Sequence, residues 1–265
     1  MATTILYIPH GGGPLPLLGD PGHREMIDLL KDLAQKIERP QTIVVISAHW
    51  EERVPTITAQ ANPPLVYDYF GFPPEAYKIT YPAPGNPELA EALRKALEDG
   101  GFTPKLDTRR GFDHGLFVPL TIMYPNADIP CVQLSLVQGL DSETHLRLGK
   151  ALRSLKNQNL LILGSGFSFH NISEFFNGED SHHGDPRNDA FQTWLVQTCG
   201  SSSLSPAERW ERLASWEKAP HARYCHPREE HILPLHVCYG AAGDEAPQTY
   251  QIHVLGKRAT AFLWT

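Results

Sequence analysis

Thirteen histidines in 265 residues are the first chemical signal of this sequence, because imidazole is the commonest metal ligand and the one side chain that ordinarily titrates near neutrality. Three of them share a local setting. His10 follows the apolar run from Thr3 to Ile8 and precedes a row of glycines, His49 comes directly after the run TIVVIS and Ala48, and His170 lies in GSGFSFHN after LLIL. Each run reads as a buried strand, so each strand would deliver a histidine at its C-terminal end. Unrelated histidines seldom fall that way repeatedly, and the expectation is a single shared site of the kind that binds a metal.

The remaining histidines carry less positional information. His226 and His231 sit in HPREEHILPLHV at a spacing of five, which is not the i, i+4 relation of two ligands on one helical face. At most one of them would bind a metal directly, and the spacing does not choose. Pro227 suits a helix start and Pro234 a first turn, while His236 is a candidate core residue or neighbour of the site. His114 falls in GFDHGLFVPL, a polar turn leading into an apolar segment, and His182 and His183 in SHHGDPRND read as a solvated loop. Other chemistries fit poorly. GSGFS has Gly166 where a nucleophile elbow needs serine, and Gly11 to Gly13 belong to no GxGxxG or GxxxxGK[ST] phosphate loop, so they are read as letting the chain turn tightly beside the metal.

The elements that must position these side chains follow from periodicity. Met26, Leu30, Leu33 and Ile37 recur at helical spacing between Gly22 and Pro40, so the first two strands and this helix form a right-handed βαβ unit whose strands end on the same sheet edge. His10 and His49 are thereby expected as neighbours, at the edge where open α/β sheets bind ligands. Pro63 to Pro84 is a long loop packed by its own aromatics, equally suited to function or to cladding. Asn86 to Leu97 reads as an Asn-capped helix, Phe102 to Leu106 as a weak strand, Cys131 to Leu136 and Leu160 to Leu163 as strands around a helix from Ser142 to Leu155, and Ser201 to Ser203 as a surface loop. Tyr250 to Leu255 and Ala259 to Trp264 read as an antiparallel hairpin at a sheet edge. No linker, fixed repeat or low-complexity tract interrupts the pattern. The fold class expected is α/β, one domain over residues 1–265, with a central mixed, mostly parallel sheet flanked by helices and the active site at the C-terminal strand ends.

Bulk properties narrow the partners. A net charge of -7 and a pI near 6.0 leave no basic excess to neutralise phosphates, so neither nucleic acid nor an anionic membrane is expected and a small molecule is. No apolar run approaches the roughly 18 residues of a membrane span. The first residues lack the basic start and small-residue cleavage site of a secretory signal, and the four cysteines have no CxxC spacing, as suits reduced thiols; a cytoplasmic location is expected. Oligomeric state has no signature here.

Six segments together resemble one family. PHGGGP around His10, SAHWE around His49, YDYFGFPPE in the aromatic loop, DHGLFVPL around His114, GSGFSFHN around His170 and HPREEHILPL around His231 are similar, in this order, to the class III extradiol ring-cleavage dioxygenases and within them to the DOPA 4,5-dioxygenase branch. The resemblance implies that His10, His49 and His231 ligate a metal, with His114 and His170 beside it, and so selects His231 within HPREEH. It implies oxygen-dependent opening of a catechol ring, DOPA or a similar substituted catechol, to a muconic semialdehyde. Fe(II) is the expected cofactor; a glutamate in some relatives stands where this chain has His231, and three imidazoles also suit Zn(II). His170 is expected as the base that takes a catechol proton and is also a candidate fourth ligand; His114 is expected to contact dioxygen, with Asp113 orienting it by adjacency. Arg223, Tyr224 or the Tyr67 to Tyr77 loop are candidates to hold the amine and carboxylate of DOPA. A zinc hydrolase and a non-catalytic binding protein are the alternatives such a ligand set allows.

Overall fold

The computed structural model describes residues 3–155, 159–176 and 184–265; His182 and His183 lie outside them. In chain order the main elements are β1 (Thr4–Pro9), α1 (Arg24–Lys36), β2 (Thr42–Glu52), β3 (Thr56–Thr58), α2 (Pro87–Asp99), β4 (Lys105–Asp107), α3 (His114–Met123), β5 (Cys131–Val137) and α4 (Ser142–Leu152). They continue with β6 (Leu160–Gly166), α5 (Ile172–Phe176), α6 (Pro186–Gly200), α7 (Pro206–Ala214), α8 (Ala222–Cys225), α9 (Leu233–Ala242), β7 (Gln248–Val254) and β8 (Lys257–Trp264). The strands make one eight-stranded sheet in the order β4-β3-β5-β2-β6-β1-β8-β7. β5, β2, β6 and β1 run parallel, and β8 and β7 add an antiparallel edge, giving the expected mixed, mostly parallel α/β sheet with helices on both faces.

The β-branched run of β2 shows why. Val44 and Ile46 enter the core on one face with Leu93, Leu146 and Leu235, whereas Ile43 and Val45 enter the core on the other with Leu30 and Leu116. A strand buried on both sides has no polar face to alternate, so it reads as a continuous apolar run. α2, α4 and α9 cover the first face and α1 and α3 the second. Asn86 caps α2 as expected, accepting from the Leu89 amide at 3.0 Å.

The strand order adds a detail that the βαβ reading left open. β1 and β2 are not adjacent, because β6 lies between them and pairs in parallel with both. Every residue of β6 is buried, and the centre of the sheet is where such a segment hides its apolar surface on both faces. The sheet edge is nevertheless shared: Pro9 stands opposite Gly166 and Ser47 opposite Ser165, so three chain ends emerge side by side. Boundaries moved elsewhere too. The helix expected to Leu155 ends at Leu152 and continues as a 3-10 turn, the strand expected over Phe102 to Leu106 is Lys105–Asp107, and β3, α6 and α7 were not anticipated. The Pro63 to Pro84 loop contains a 3-10 turn at Pro74–Lys78 and binds itself together, with the Tyr67 hydroxyl donating to Ile79 O at 2.7 Å and that of Tyr69 to Ala76 O at 2.6 Å. No described helix is long and apolar enough to cross a membrane.

Two buried imidazoles outside the site make stability depend on pH. His145 accepts the Val137 amide through Nε2 at 3.1 Å and donates Nδ1–H to Asp141 O at 2.7 Å, an arrangement open only to the neutral ring. Burial pushes His145 down to about 4 and His226 down to about 3, whereas both would titrate near their ordinary value of about 6.5 once unfolded. The unfolded chain therefore binds these protons first; the stabilisation is complete above about pH 6.5 and is lost as pH falls toward the folded values. Thermal unfolding followed by circular dichroism between pH 7.5 and 5 is expected to show a falling Tm, with a shallower fall in His145→Gln.

Candidate metal centre

Each histidine reaches the sheet edge by a different device. His10 follows β1 and is held by His10 N–H donating to Gly166 O at 3.1 Å. The chain then turns at Gly11, whose φ of +86° lies in the region glycine favours and where a Cβ would sit 2.7 Å from Pro16. His23, which no sequence context singled out, is fully buried behind this turn: its Nε2 accepts the Gly12 amide at 2.9 Å while Nδ1–H donates to Asp20 at 2.8 Å. His49 lies in β2 itself, its amide bonded to the Ser47 hydroxyl at 3.1 Å. His231 belongs to no regular element. Its carbonyl accepts the Phe167 amide at 3.0 Å and the Tyr7 hydroxyl at 3.1 Å, and Gly166 permits this because a Cβ there would come within 2.2 Å of that oxygen.

One ring nitrogen from each of His10, His49 and His231 lies within 4.8 Å of the others, and the hydrogen bonds around them say which. His10 Nδ1 is 3.0 Å from the Ser165 hydroxyl, which itself donates to Gly115 O, so the hydroxyl accepts from Nδ1–H and leaves Nε2 with its lone pair. His231 Nδ1–H likewise donates to Glu230 at 2.9 Å, and His231 Nε2 is a buried atom without a hydrogen-bond partner among the described residues. His10 Nε2 and His49 Nε2 are 3.0 Å apart. Three inward lone pairs, one of them orphaned, form the donor set that a divalent cation accepts, so these residues fit a metal. Burial, followed by the neighbouring imidazoles, holds all three rings well below the ordinary histidine range, the neutral state that ligation requires.

Two carboxylates flank this trio, and neither was expected. Asp68, from the aromatic loop, accepts both the backbone amide of His114 at 3.0 Å and its Nδ1–H at 2.8 Å, while its second oxygen is 3.7 Å from His49 Nδ1. The Asp68 backbone is at the surface, but its side chain is only 17% exposed. Glu230 Oε1 lies 3.3 Å from His170 Nδ1 as well as 2.9 Å from His231 Nδ1. Each carboxylate thus joins one member of the trio to one outer histidine, the outward-facing support that fixes tautomer and ring orientation at metal sites. Burial opposes ionisation of both, yet the facing histidines outweigh it and hold Asp68 and Glu230 below their usual range. The outer rings pack on the trio from opposite sides: His114 lies 3.9 Å from His49 between ring centroids, and His170 stacks on His231 at 3.3 Å.

Several expectations change. Asp113 does not orient His114. It caps α3 through the Gly115 amide at 3.1 Å and accepts the Ser47 hydroxyl at 2.7 Å and Arg110 at 3.0 Å, because a side chain at a helix N-cap turns toward the first-turn amides. His170 stands with Glu230 and His231 rather than in the His10, His49 and His231 group. Arg223 and Tyr224 are engaged elsewhere, Arg223 with Glu229 at 2.6 Å and the Tyr224 hydroxyl with Glu174 and Asp185. His226 and His236 are core residues, His226 donating to Ser168 O and His236 bonded to Ile232 O and Leu213 O. Asp68 was visible only as one of two acids in YDYFGFPPE, and Glu230 only as the neighbour of His231.

A doubly covered, mostly parallel sheet with a three-histidine trio at its carboxyl edge and two further histidines facing carboxylates beside it defines an α/β protein with a cluster that could hold a metal ion. Comparison with known proteins narrows this. Residues 5–262 match the model of the catalytic LigB subunit of aromatic ring-opening dioxygenase, and the chain belongs to that family. It is 40% identical over 98% of its length to Dioxygenase tasH of Hapsidospora irregularis, 85% of which is covered. It is 38% identical over 91% of its length to the 4,5-DOPA dioxygenase extradiol of Beta vulgaris, 87% covered, and 33% identical over 87% to that of Escherichia coli strain K12, also 87% covered. A crystal structure of an uncharacterized Escherichia coli K12 protein superposes with a TM-score of 0.76 at 28% identity, covering 99% of both chains. The chain is accordingly an aromatic ring-opening dioxygenase of the extradiol type, as the six sequence segments suggested.

The carboxylate supports can be tested directly. Asp68→Asn and Glu230→Gln keep size but lose the anion, and each is expected to weaken metal retention by about 10- to 100-fold. Competition of each variant against a fluorescent chelator measures this; unchanged affinity in both would show that the carboxylates do not support the ligands.

Proposed function

We propose that the enzyme opens the ring of a catechol bearing a small polar tail, DOPA or a close analogue, with one molecule of dioxygen and Fe(II) held by His10, His49 and His231. The observation that carries this reading is the pairing of each outer histidine with its own carboxylate. A merely structural or merely binding site has no use for two oriented imidazoles on opposite sides of a ligand trio. Fe(II) bound there would leave open positions for both catechol oxygens and would supply the one-electron chemistry that lets dioxygen react with a closed-shell ring.

The chain's own groups divide the rest of the work. Glu230 Oε1 lies 3.3 Å from His170 Nδ1, which leaves His170 Nε2 as the atom to receive the proton of the arriving catechol hydroxyl, a transfer suited to imidazole near neutral pH. His170 lines a cavity of about 430 Å³ together with His49 and His231, so a ring-sized substrate reaches it. His114 is only 5% exposed on its side chain, and its Nε2, with Nδ1 committed to Asp68, serves the smaller reactant, dioxygen. In the product both oxygen atoms are retained, one in the new carboxylate and one in the aldehyde, and the proton taken by His170 is available for return.

Protein loaded anaerobically with Fe(II), mixed with L-DOPA or 4-methylcatechol and then exposed to oxygen is expected to consume one dioxygen per catechol and form a yellow semialdehyde. No oxygen uptake with any catechol would overturn the reading. His170→Gln is expected to lower kcat by about 10²- to 10⁴-fold with metal content retained. Loss of the metal in that variant would instead make His170 a fourth ligand, and metal analysis of the same samples separates Fe(II) from Zn(II).

A further inference from the structure

At the mouth of the cavity Arg228 and Glu51 face each other. The guanidinium grips Glu51 with both ends, Nη1 to Oε1 at 2.6 Å and Nη2 to Oε2 at 2.8 Å, and Nη1 also reaches Glu230 Oε2 at 3.2 Å. Both side chains line the same cavity as His49, His170 and His231. Each is tied to a presumptive ligand by a short stretch of chain: Glu51 follows His49 by two residues in β2, about 7 Å along a strand, and Arg228 precedes His231 by three. These short connections keep the pair close to the trio along the chain as well as within the cavity. Ile172, 59% exposed, supplies an apolar wall on the same cavity.

We propose that the Arg228 and Glu51 pair reads the tail of the substrate and selects a zwitterionic α-amino acid, with Arg228 taking the carboxylate and Glu51 the ammonium. This rests on the ring-opening reading of the site and adds to it the residues that discriminate among catechol tails. Arg228 is 55% exposed on its side chain and Glu51 24%, and an exposed ion pair stabilises a fold so little that parting it to admit a ligand costs little. A zwitterion replaces each charge that the pair gives up, and the planar guanidinium fork matches a carboxylate as well as it matches Glu51. A tail with one charge cannot do so. A cationic tail satisfies Glu51 and leaves Arg228 on Glu230. An anionic tail takes Arg228 from Glu51 and Glu230 and leaves two carboxylates facing each other, the least favourable outcome and a built-in rejection of that class.

Binding is measured without turnover by calorimetry on metal-loaded protein with the unreactive phenols L-tyrosine, tyramine and 4-hydroxyphenylacetate, and kcat/KM is measured with L-DOPA, dopamine and 3,4-dihydroxyphenylacetate. Both series are expected to fall in that order, with at least about a tenfold step from zwitterion to anion. Arg228→Gln is expected to erase the advantage of L-tyrosine over tyramine and to raise KM for L-DOPA more than it lowers kcat, while Arg228→Lys restores part of it; Glu51→Gln is expected to narrow the gap between zwitterion and anion. Equal binding of all three phenols, or variants that shift every substrate by one common factor, would overturn the mouth assignment while leaving ring opening intact. Tail-dependent binding without cleavage of any catechol would overturn the ring-opening reading and this proposal's substrate with it.

Discussion

The backbone carbonyl of His231 is the junction on which the site depends. Two of the trio need no special support, since His10 follows β1 and His49 lies within β2, and hydrogen-bonded strands in the centre of a sheet hold their ends in register. His231 has no strand. It is fixed because its carbonyl takes the Phe167 amide from the end of β6 and the hydroxyl of Tyr7 from β1, at a spot where Gly166 leaves room for the oxygen. Tyr7 is fully buried, and burial first, then the nearby Cys238 and Cys199 thiols, raise its hydroxyl well above its usual value, so it remains a donor throughout the working pH range. Removing that donor would leave a buried carbonyl short of a partner, and the third ligand would lose its fixed height above the sheet.

The same economy governs charge. Five imidazoles crowd one sheet edge, and burial holds His10, His49 and His231 well below the ordinary histidine range. Two carboxylates support the cluster: Asp68 accepts from Nδ1 of His114 and faces His49, and Glu230 accepts from Nδ1 of His231 and faces His170, while the Ser165 hydroxyl accepts from His10 without adding charge. The choice of acceptor follows location. Ser165 lies in the dry centre between β1 and β2, where an unpaired carboxylate would be costly to bury. Asp68 and Glu230 sit toward the rim, where water and Arg228 share the burden.

Much of the sheet was legible because local sequence and tertiary burial agree there: the runs Ile43 to Ile46 of β2 and Leu160 to Leu163 of β6 are buried on both faces. What was not legible has physical causes. The insertion of β6 between β1 and β2 is a pairing between segments far apart in the chain, and apolar runs of similar length do not encode their order. α6 spreads its polar and apolar residues with little periodicity, so only Asp185 and Pro186 at its start announce it. α7 did carry a readable mark, the capping box between Ser205 and Glu208, which weak flanking patterns obscured. In the site, His10 and His49 were legible from strand ends, whereas His231 rested on resemblance because its anchor is a main-chain oxygen, which any residue type could provide. Asp68 was hidden for the same reason that the aromatic loop resisted assignment: its role depends on where the loop folds back, not on what surrounds it in sequence.

The two flanks of the trio differ in access, and that difference gives the proposed reaction a direction. His170 is 19% exposed and opens on the cavity, while His114 is 5% exposed beneath the aromatic loop. The cavity on the His170 side admits a ring and its tail, and there Glu230 faces the imidazole and Arg228 ties Glu230 to Glu51. In the proposed reading, substrate arrival, proton acceptance and recognition of the tail converge on one row of paired side chains running from Glu51 through Arg228 and Glu230 to His170. A tail that draws Arg228 outward would also loosen one contact of Glu230 and change how it holds His170. In that reading recognition at the mouth and orientation of the base form one mechanical unit, whereas His114 on the other flank is held by Asp68 through both its amide and its Nδ1–H.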